Sequence, residues 1–66
     1  MNIQDWYELD EMEQTEAIWA AKKISEKTEP GYLIQLYQIG KLYIEVKVDL
    51  DTKMYEYIKP IPSPWN

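Results

Sequence analysis

A strict alternation of apolar and polar side chains follows the Gly40-Lys41 pair and constrains the fold more than any other feature of the sequence. The apolar positions of this run are Leu42, Ile44, Val46 and Val48. Because successive side chains of a strand point to opposite faces, this pattern is typical of an antiparallel strand with one buried face. Glycine at the first central position of a two-residue connection favours a type II′ turn. We therefore predict a hairpin of two strands, 32–39 and 42–49.

The N-terminal third carries the pattern of a helix. Asp10 followed by Glu13 matches a capping box with an acid at the capping position, and the residues that follow are rich in helix formers. Spacings of three and four residues bring one set of side chains to a common face, namely Met12, Thr15, Ile18 and Trp19. We predict a helix over about 10–21, with Met12, Ile18 and Trp19 packed against the sheet.

The segments that flank this helix are less regular. Residues 3–9 form a preceding turn of helix in our interpretation, with Trp6 and Leu9 reaching the core. Residues 22–28 fit either a continuation of the helix or a strand, and their periodicity does not decide between the two. Glu29-Pro30-Gly31 then predicts a turn.

A last strand is predicted at about 53–59. Prolines at 60, 62 and 64 should end the sheet, because proline cannot donate to the hydrogen-bond ladder. The predicted fold class is α+β: an N-terminal helix packed on one face of a three- to four-stranded antiparallel β-meander. Residues 1–59 make one domain in this reading, and 60–66 make a proline-rich C-terminal tail.

The register of the predicted hairpin leaves apolar side chains on the face away from the helix. Pairing Ile39 with Leu42 and Tyr37 with Ile44 builds the face that takes the helix. The other face carries a patch formed by Tyr32, Ile34, Leu36 and Tyr43. A patch of this kind on a small domain indicates a covering element or a partner.

Three occupants of this patch stay open at this point. The tail could fold back over it, a second copy could pair with it to give a homodimer, or a different protein could bind it. The partner-binding residues that we predict are Tyr32, Ile34, Leu36, Tyr43 and Trp65. Tyr55 and Tyr57, in contrast, are expected on the core side of the last strand.

Composition argues against most chemistry. The 66 residues include no cysteine and no histidine, and all seven basic residues are lysines. The usual ligands for zinc, haem and iron–sulfur clusters are therefore missing, as are the common nucleophile–base pairs. We predict a non-catalytic protein, with no catalytic residues, no cofactor and no metal.

Charge is distributed unevenly along the chain. The net charge is −5, and residues 1–20 carry six acidic groups and no basic one. An acidic chain repels phosphate backbones, so no nucleic-acid partner is expected. The same acidity supports an alternative function, in which an inhibitor or nucleic-acid mimic places the carboxylates of residues 5–16 in a basic cleft of a partner.

The location that we expect is the cytoplasm. The N-terminus lacks the basic and apolar regions of a signal peptide, and no apolar run reaches the length of a membrane span. A membrane partner is not expected either.

Two strings, LDEMEQTEAIW at 9–19 and LYQIGKLYIEV at 36–46, resemble a family of short uncharacterised bacterial proteins that is frequent in gut-dwelling anaerobes. The resemblance covers residues 9–58. It implies a helix followed by an antiparallel meander, and a strand at 22–28. Two features depart from the family: the Gly-Lys turn, where Asp-Gly is frequent, and the short proline-rich tail. No activity follows from the resemblance.

Functionally, we predict a small protein-interaction domain that self-associates.

Overall fold

Two helices precede a four-stranded sheet in the structure, a computed structural model that describes residues 1–65. Asn66, the last residue of the predicted tail, lies outside the described residues. The elements are α1 Ile3–Glu8, α2 Glu11–Ala20, β1 Lys22–Glu29, β2 Tyr32–Ile39, β3 Leu42–Asp49 and β4 Tyr55–Ile61. The strands pair antiparallel in chain order, and both helices pack on one face of the sheet. The predicted α+β meander is confirmed.

Each helix begins at a capping box. In α2 the Asp10 side chain accepts a hydrogen bond from the Glu13 backbone N–H, and the Glu13 side chain accepts one from the Asp10 N–H (2.8 and 3.1 Å). Asn2 and Asp5 make the same reciprocal pair at α1. These bonds satisfy N–H groups that the first turn of a helix leaves without a partner. They place the start of α2 where the sequence predicts it.

Tight turns fix the register of the first three strands. The β1–β2 turn has Gly31 at φ +82°, which suits the second central position of a type II turn after Pro30. Gly40 has φ +60°, as the first position of the predicted type II′ turn requires. Ile39 consequently lies opposite Leu42 and Tyr37 opposite Ile44, as predicted. The ambiguous segment 22–28 belongs to strand β1.

The last strand begins and ends two residues later than predicted. The β3–β4 connection takes up residues 50–54, where Asp49 Oδ1 accepts hydrogen bonds from the backbone of Asp51 and Thr52 (2.8 and 3.2 Å). The expectation that Pro60 ends the sheet is wrong, because Pro60 pairs with Ile44 inside β4. An edge strand tolerates proline since one of its sides has no ladder to join.

Both edges of the sheet carry features that oppose further pairing. Every residue of β1 is exposed, the strand holds Lys22, Lys23 and Lys27, and its pairing shifts register between Lys23 and Ser25. Charged side chains and bulges of this kind discourage a second strand from adding to an edge. Pro60 has the same effect on β4.

The core lies between the helices and one face of the sheet. Its buried side chains are Trp6, Ile18, Leu42, Ile44 and Val46. The expectation that Trp6 and Leu9 reach this core is confirmed. The expectation that Met12 and Trp19 pack against the sheet is wrong, because their side chains are 72% and 73% exposed. Helix α2 contacts the sheet through Ala17 and Ile18 instead, and α1 fills the remaining space with the Trp6 indole.

Candidate functional site

The five predicted binding residues lie on one face of the sheet, opposite the helices. Tyr32, Ile34 and Leu36 alternate along β2, and the register places Tyr43 beside Gln38 on the same face. Contacts of Trp65 with Lys27 and Glu45 bring the tail to this face as well. The structure therefore assembles the residues that the hairpin register predicts, and we call them the sheet-face cluster.

The centre of the sheet-face cluster is covered. Ile34 is 5% exposed and Leu36 is 2% exposed. These two side chains of the predicted patch are therefore buried, and of the three occupants left open by the sequence, the tail is the one whose side chain lies on this face. A patch that its own chain covers needs no partner to stay out of water.

Trp65 contacts side chains of two strands on this face. Its Nε1–H donates a hydrogen bond to Glu45 Oε1 at 2.8 Å, and the Lys27 Nζ lies 4.7 Å from the centre of its ring system. Glu45 on β3 pairs with Leu36, and Lys27 on β1 pairs with Ile34. Because β2 lies between β1 and β3, the indole bridges the two strands on either side of Ile34 and Leu36.

Glu45 is the polar centre of this arrangement. It also accepts a hydrogen bond from the Tyr57 hydroxyl, and Lys59 Nζ lies 3.8 Å from its Oε2. Burial alone would raise the pKa of Glu45, but the bonds from Tyr57 and Trp65 and the charges of Lys59 and Lys27 outweigh it, so the pKa is lowered. Burial and the same bond raise the pKa of Tyr57 to about 12.

Tyr57 itself lies on the face opposite to the one predicted. It pairs with Lys47 and faces away from the helices, whereas Tyr55 pairs with Val48. The pairing of β3 with β4 shifts register between Lys47 and Val48, and this irregularity separates the two tyrosines. Periodicity in sequence could not show the shift, because it assumes unbroken pairing.

Lysine side chains cover much of what remains of this face. Lys47 Nζ lies 4.2 Å from the centre of the Tyr32 ring, and Lys59 Nζ lies 4.6 Å from that of Tyr57. Such cation–π contacts hold the apolar stems of lysine along the sheet while the ammonium groups stay in water. The face therefore presents a charged rim around a covered apolar centre.

The outward face of α2 differs, because nothing in the described chain covers it. Met12 and Trp19, seven residues apart, flank a shallow groove whose other walls are Glu11, Thr15 and Glu16. Sequence reasoning assigned Met12 and Trp19 to the core and so missed this surface. The stripe formed by Gln14, Ala17 and Ile18 could have indicated the buried side of α2, because a small alanine lets a helix approach a sheet closely.

Hydrogen bonding fixes that orientation of α2. Gln14 Nε2 donates to the backbone oxygen of Trp6 at 3.1 Å, so the stripe with Gln14 and Ile18 faces α1 and the sheet. Met12 and Trp19 then point outward. Carboxylates surround them on the exposed surface of the helix, including Glu11, Glu13 and Glu16. We call Met12, Trp19 and these acids the α2 surface.

The described residues 1–65 hold no cluster of three or more acidic side chains placed to bind a metal ion. Neither helix in that range is long and apolar enough to cross a bilayer. Comparison of the chain with protein-family models, with curated proteins and with solved structures found no match. The resemblance of residues 9–58 to the bacterial family of short proteins stays a prediction, and any function must be argued from the geometry of this chain.

Proposed function

We propose that this protein is a small, non-catalytic, cytoplasmic domain that binds another protein through the α2 surface. The observation that carries the proposal is the pair Met12 and Trp19, each more than two-thirds exposed on one helix. A tryptophan buries about 150–250 Å² when it is covered, which corresponds to roughly 4–6 kcal/mol of transfer free energy. The α2 surface thus holds a large apolar area that residues 1–65 leave exposed and that a partner would bury.

The spacing of the two side chains fits a common mode of recognition. Positions i and i+7 lie on the same side of a helix, two turns apart, and anchor amphipathic helices in apolar grooves. Trp and Met are also enriched in protein interfaces relative to the rest of the surface. Met12 and Trp19 would fill two sub-pockets of such a groove.

The charge of the α2 surface indicates which side chains should border the binding groove of the partner. Glu11, Glu13 and Glu16 surround the anchors, and residues 1–20 contain no basic side chain. A groove lined with apolar side chains and bordered by lysine or arginine would complement this surface. The proposal thereby joins the two sequence-based hypotheses, an interaction domain and an acidic protein that enters a basic cleft.

A second copy of the chain is a poorer partner for the α2 surface. Two helices related by a twofold axis would bring like charges together, which costs free energy. The features at both sheet edges also oppose dimers built by strand pairing. The predicted homodimer therefore becomes the competing outcome of the test.

Site-specific photo-crosslinking in the native cell tests the proposal. Benzoylphenylalanine in place of Met12 should give a discrete adduct of higher mass. The matched control is the same substitution at Met54, which is 68% exposed but lies in the β3–β4 connection. Adding Trp19→Asp to the Met12 probe should abolish the adduct, because it places a charge in the proposed interface.

Three outcomes contradict parts of the proposal. Equal adducts from positions 12 and 54 would mean that the α2 surface is not selective. An adduct that persists with Trp19→Asp would exclude Trp19 as an anchor. An adduct of twice the chain's own mass would identify a second copy and restore self-association.

A further inference from the structure

We propose that the sheet face opposite the helices is a binding site for an extended segment that carries a tryptophan, and that the chain's own residues 62–65 occupy it until such a segment competes. This inference rests on the sheet-face cluster and is independent of the α2 surface.

Three kinds of contact recognise the indole at this site. Glu45 Oε1 accepts the indole N–H at 2.8 Å, and Lys27 lies above the ring. In this proposal the buried Ile34 and Leu36, which pair with Lys27 and Glu45, supply the apolar floor. Phenylalanine could use the floor and the cation, but it has no N–H to donate. The polar contact therefore selects tryptophan over other large apolar side chains.

The acceptor is held in place without the tail. The Tyr57 hydroxyl donates to Glu45 Oε2, and Lys59 approaches the same oxygen. Both partners lie on β4, which the ladder with β3 aligns beside Glu45. Release of Trp65 would thus leave Oε1 free and already oriented, which lowers the entropic cost of binding another indole.

The present occupant is tethered weakly. Pro62 and Pro64 have no backbone N–H, so the connection between β4 and Trp65 offers few groups for hydrogen bonds. Alternate prolines also favour an extended conformation before docking. One side chain therefore holds most of the contact, and a competing segment has to displace only that indole.

The chemistry of the competing ligand follows from this occupant. It is an extended stretch of another polypeptide in which a tryptophan follows a proline, as in the tail itself. A tethered tail competes at an effective concentration in the millimolar range for a short linker. The site would respond to a partner segment only when that segment binds more tightly than the tail or is present at high local concentration.

A peptide competition experiment tests the site. The probe is the blocked peptide acetyl-Ile-Pro-Ser-Pro-Trp-amide, and the receptor is the full chain with Trp65→Ala. We expect saturable shifts of the Ile34 and Leu36 methyl resonances, while the Ile18 methyls on the other side of the sheet serve as the internal control. Wild-type chain should bind the probe at least about tenfold more weakly, because its own tail competes.

Two controls address the polar contact. A probe with phenylalanine in place of tryptophan should bind about tenfold more weakly, since a hydrogen bond to a charged group is lost. Glu45→Gln in the Trp65→Ala background should weaken the tryptophan probe to a similar degree. If Trp65→Ala does not fold, Trp65→Phe keeps an aromatic cover that the tryptophan probe should still displace.

The proposal is overturned if millimolar probe causes no saturable shift in the receptor variant. It is equally overturned if wild type and Trp65→Ala bind the probe alike, or if the phenylalanine probe binds as tightly as the tryptophan probe. Trp19→Asp should leave the affinity for the probe unchanged, so a failure here is distinguishable from a failure of the α2 surface.

Discussion

The α2 surface and the sheet face are both built around large apolar side chains, yet within residues 1–65 only the sheet face is covered. Ile34 and Leu36 are buried on the sheet face, where Trp65 bonds to Glu45, whereas Met12 and Trp19 on α2 meet solvent. The helical layer is formed by residues 3–20, and the tail contacts the opposite face. The face that stays uncovered is the better candidate for a partner.

The largest expected effect is a difference in stability between replacing the core tryptophan and replacing the tryptophan of the α2 surface. Trp6→Ala should lower the free energy of unfolding by about 3–5 kcal/mol, because it leaves a cavity between the helices and the sheet. Trp19→Ala should change it by no more than about 0.5 kcal/mol, because the side chain is mostly exposed. Urea denaturation of both variants measures the contrast. Similar losses in the two would mean that Trp19 packs inside the fold.

An intermediate effect tests whether the sheet face is truly covered. Leu36→Ala should cost about 2–3 kcal/mol in unfolding free energy, since Leu36 is buried beneath the tail. In a chain that already carries Trp65→Ala, the same change should cost less, because the leucine is then open to water. This double-mutant cycle is read from urea midpoints. Additive losses would show that Trp65 does not cover Leu36.

The smallest effect concerns the pH dependence of stability. The pKa of Glu45 is lower in the folded chain than its ordinary value of 4.5. Its ionised form therefore stabilises the fold above that value, and the contribution is lost as the pH falls through the folded pKa. The difference in stability between wild type and Glu45→Gln should be constant near neutrality and shrink below about pH 4.5.

Tyr57→Phe sharpens this pH measurement. It removes the hydroxyl donor but keeps the ring, so the pKa of Glu45 should rise toward its ordinary value. The loss of stability in acid should then be smaller and should be complete at a higher pH than in wild type. The readout is the urea midpoint, followed together with the Trp65 indole N–H resonance. Identical acid profiles for wild type and Glu45→Gln would show that Glu45 contributes nothing to the effect.

Local sequence patterns predicted most of the fold, because turns and helix caps depend on residues that are close together in the chain. The two-residue turn at Gly40 fixed which side chains of β2 and β3 face each other, and the capping box at Asp10 fixed the start of α2. Periodicity alone could not choose between two possible stripes of α2. That choice depends on contacts with α1, where the Gln14 side chain donates to the backbone oxygen of Trp6 and Ile18 packs with the Trp6 indole in the core.

The candidate sites were harder to predict than the fold. Sequence placed Ile34 and Leu36 on the correct face, but the cover depends on a contact between Trp65 and Glu45, twenty residues apart in the chain. No local sequence pattern predicts a contact between residues so far apart in the chain. The register shift between Tyr55 and Tyr57 was equally hard to predict, because sequence periodicity assumes unbroken pairing.

The exposed edge strand β1 has a consequence for handling the protein. Lys22, Lys23 and Lys27 place positive charge along an otherwise open row of backbone donors and acceptors. Acetylating reagents, often used to label surface amines, would remove this charge while leaving the row intact. Labelled samples would then lose the local charges that discourage pairing at this edge, although the whole molecule would become more acidic, and sulfhydryl labelling at an introduced cysteine is the safer route to a fluorescent derivative.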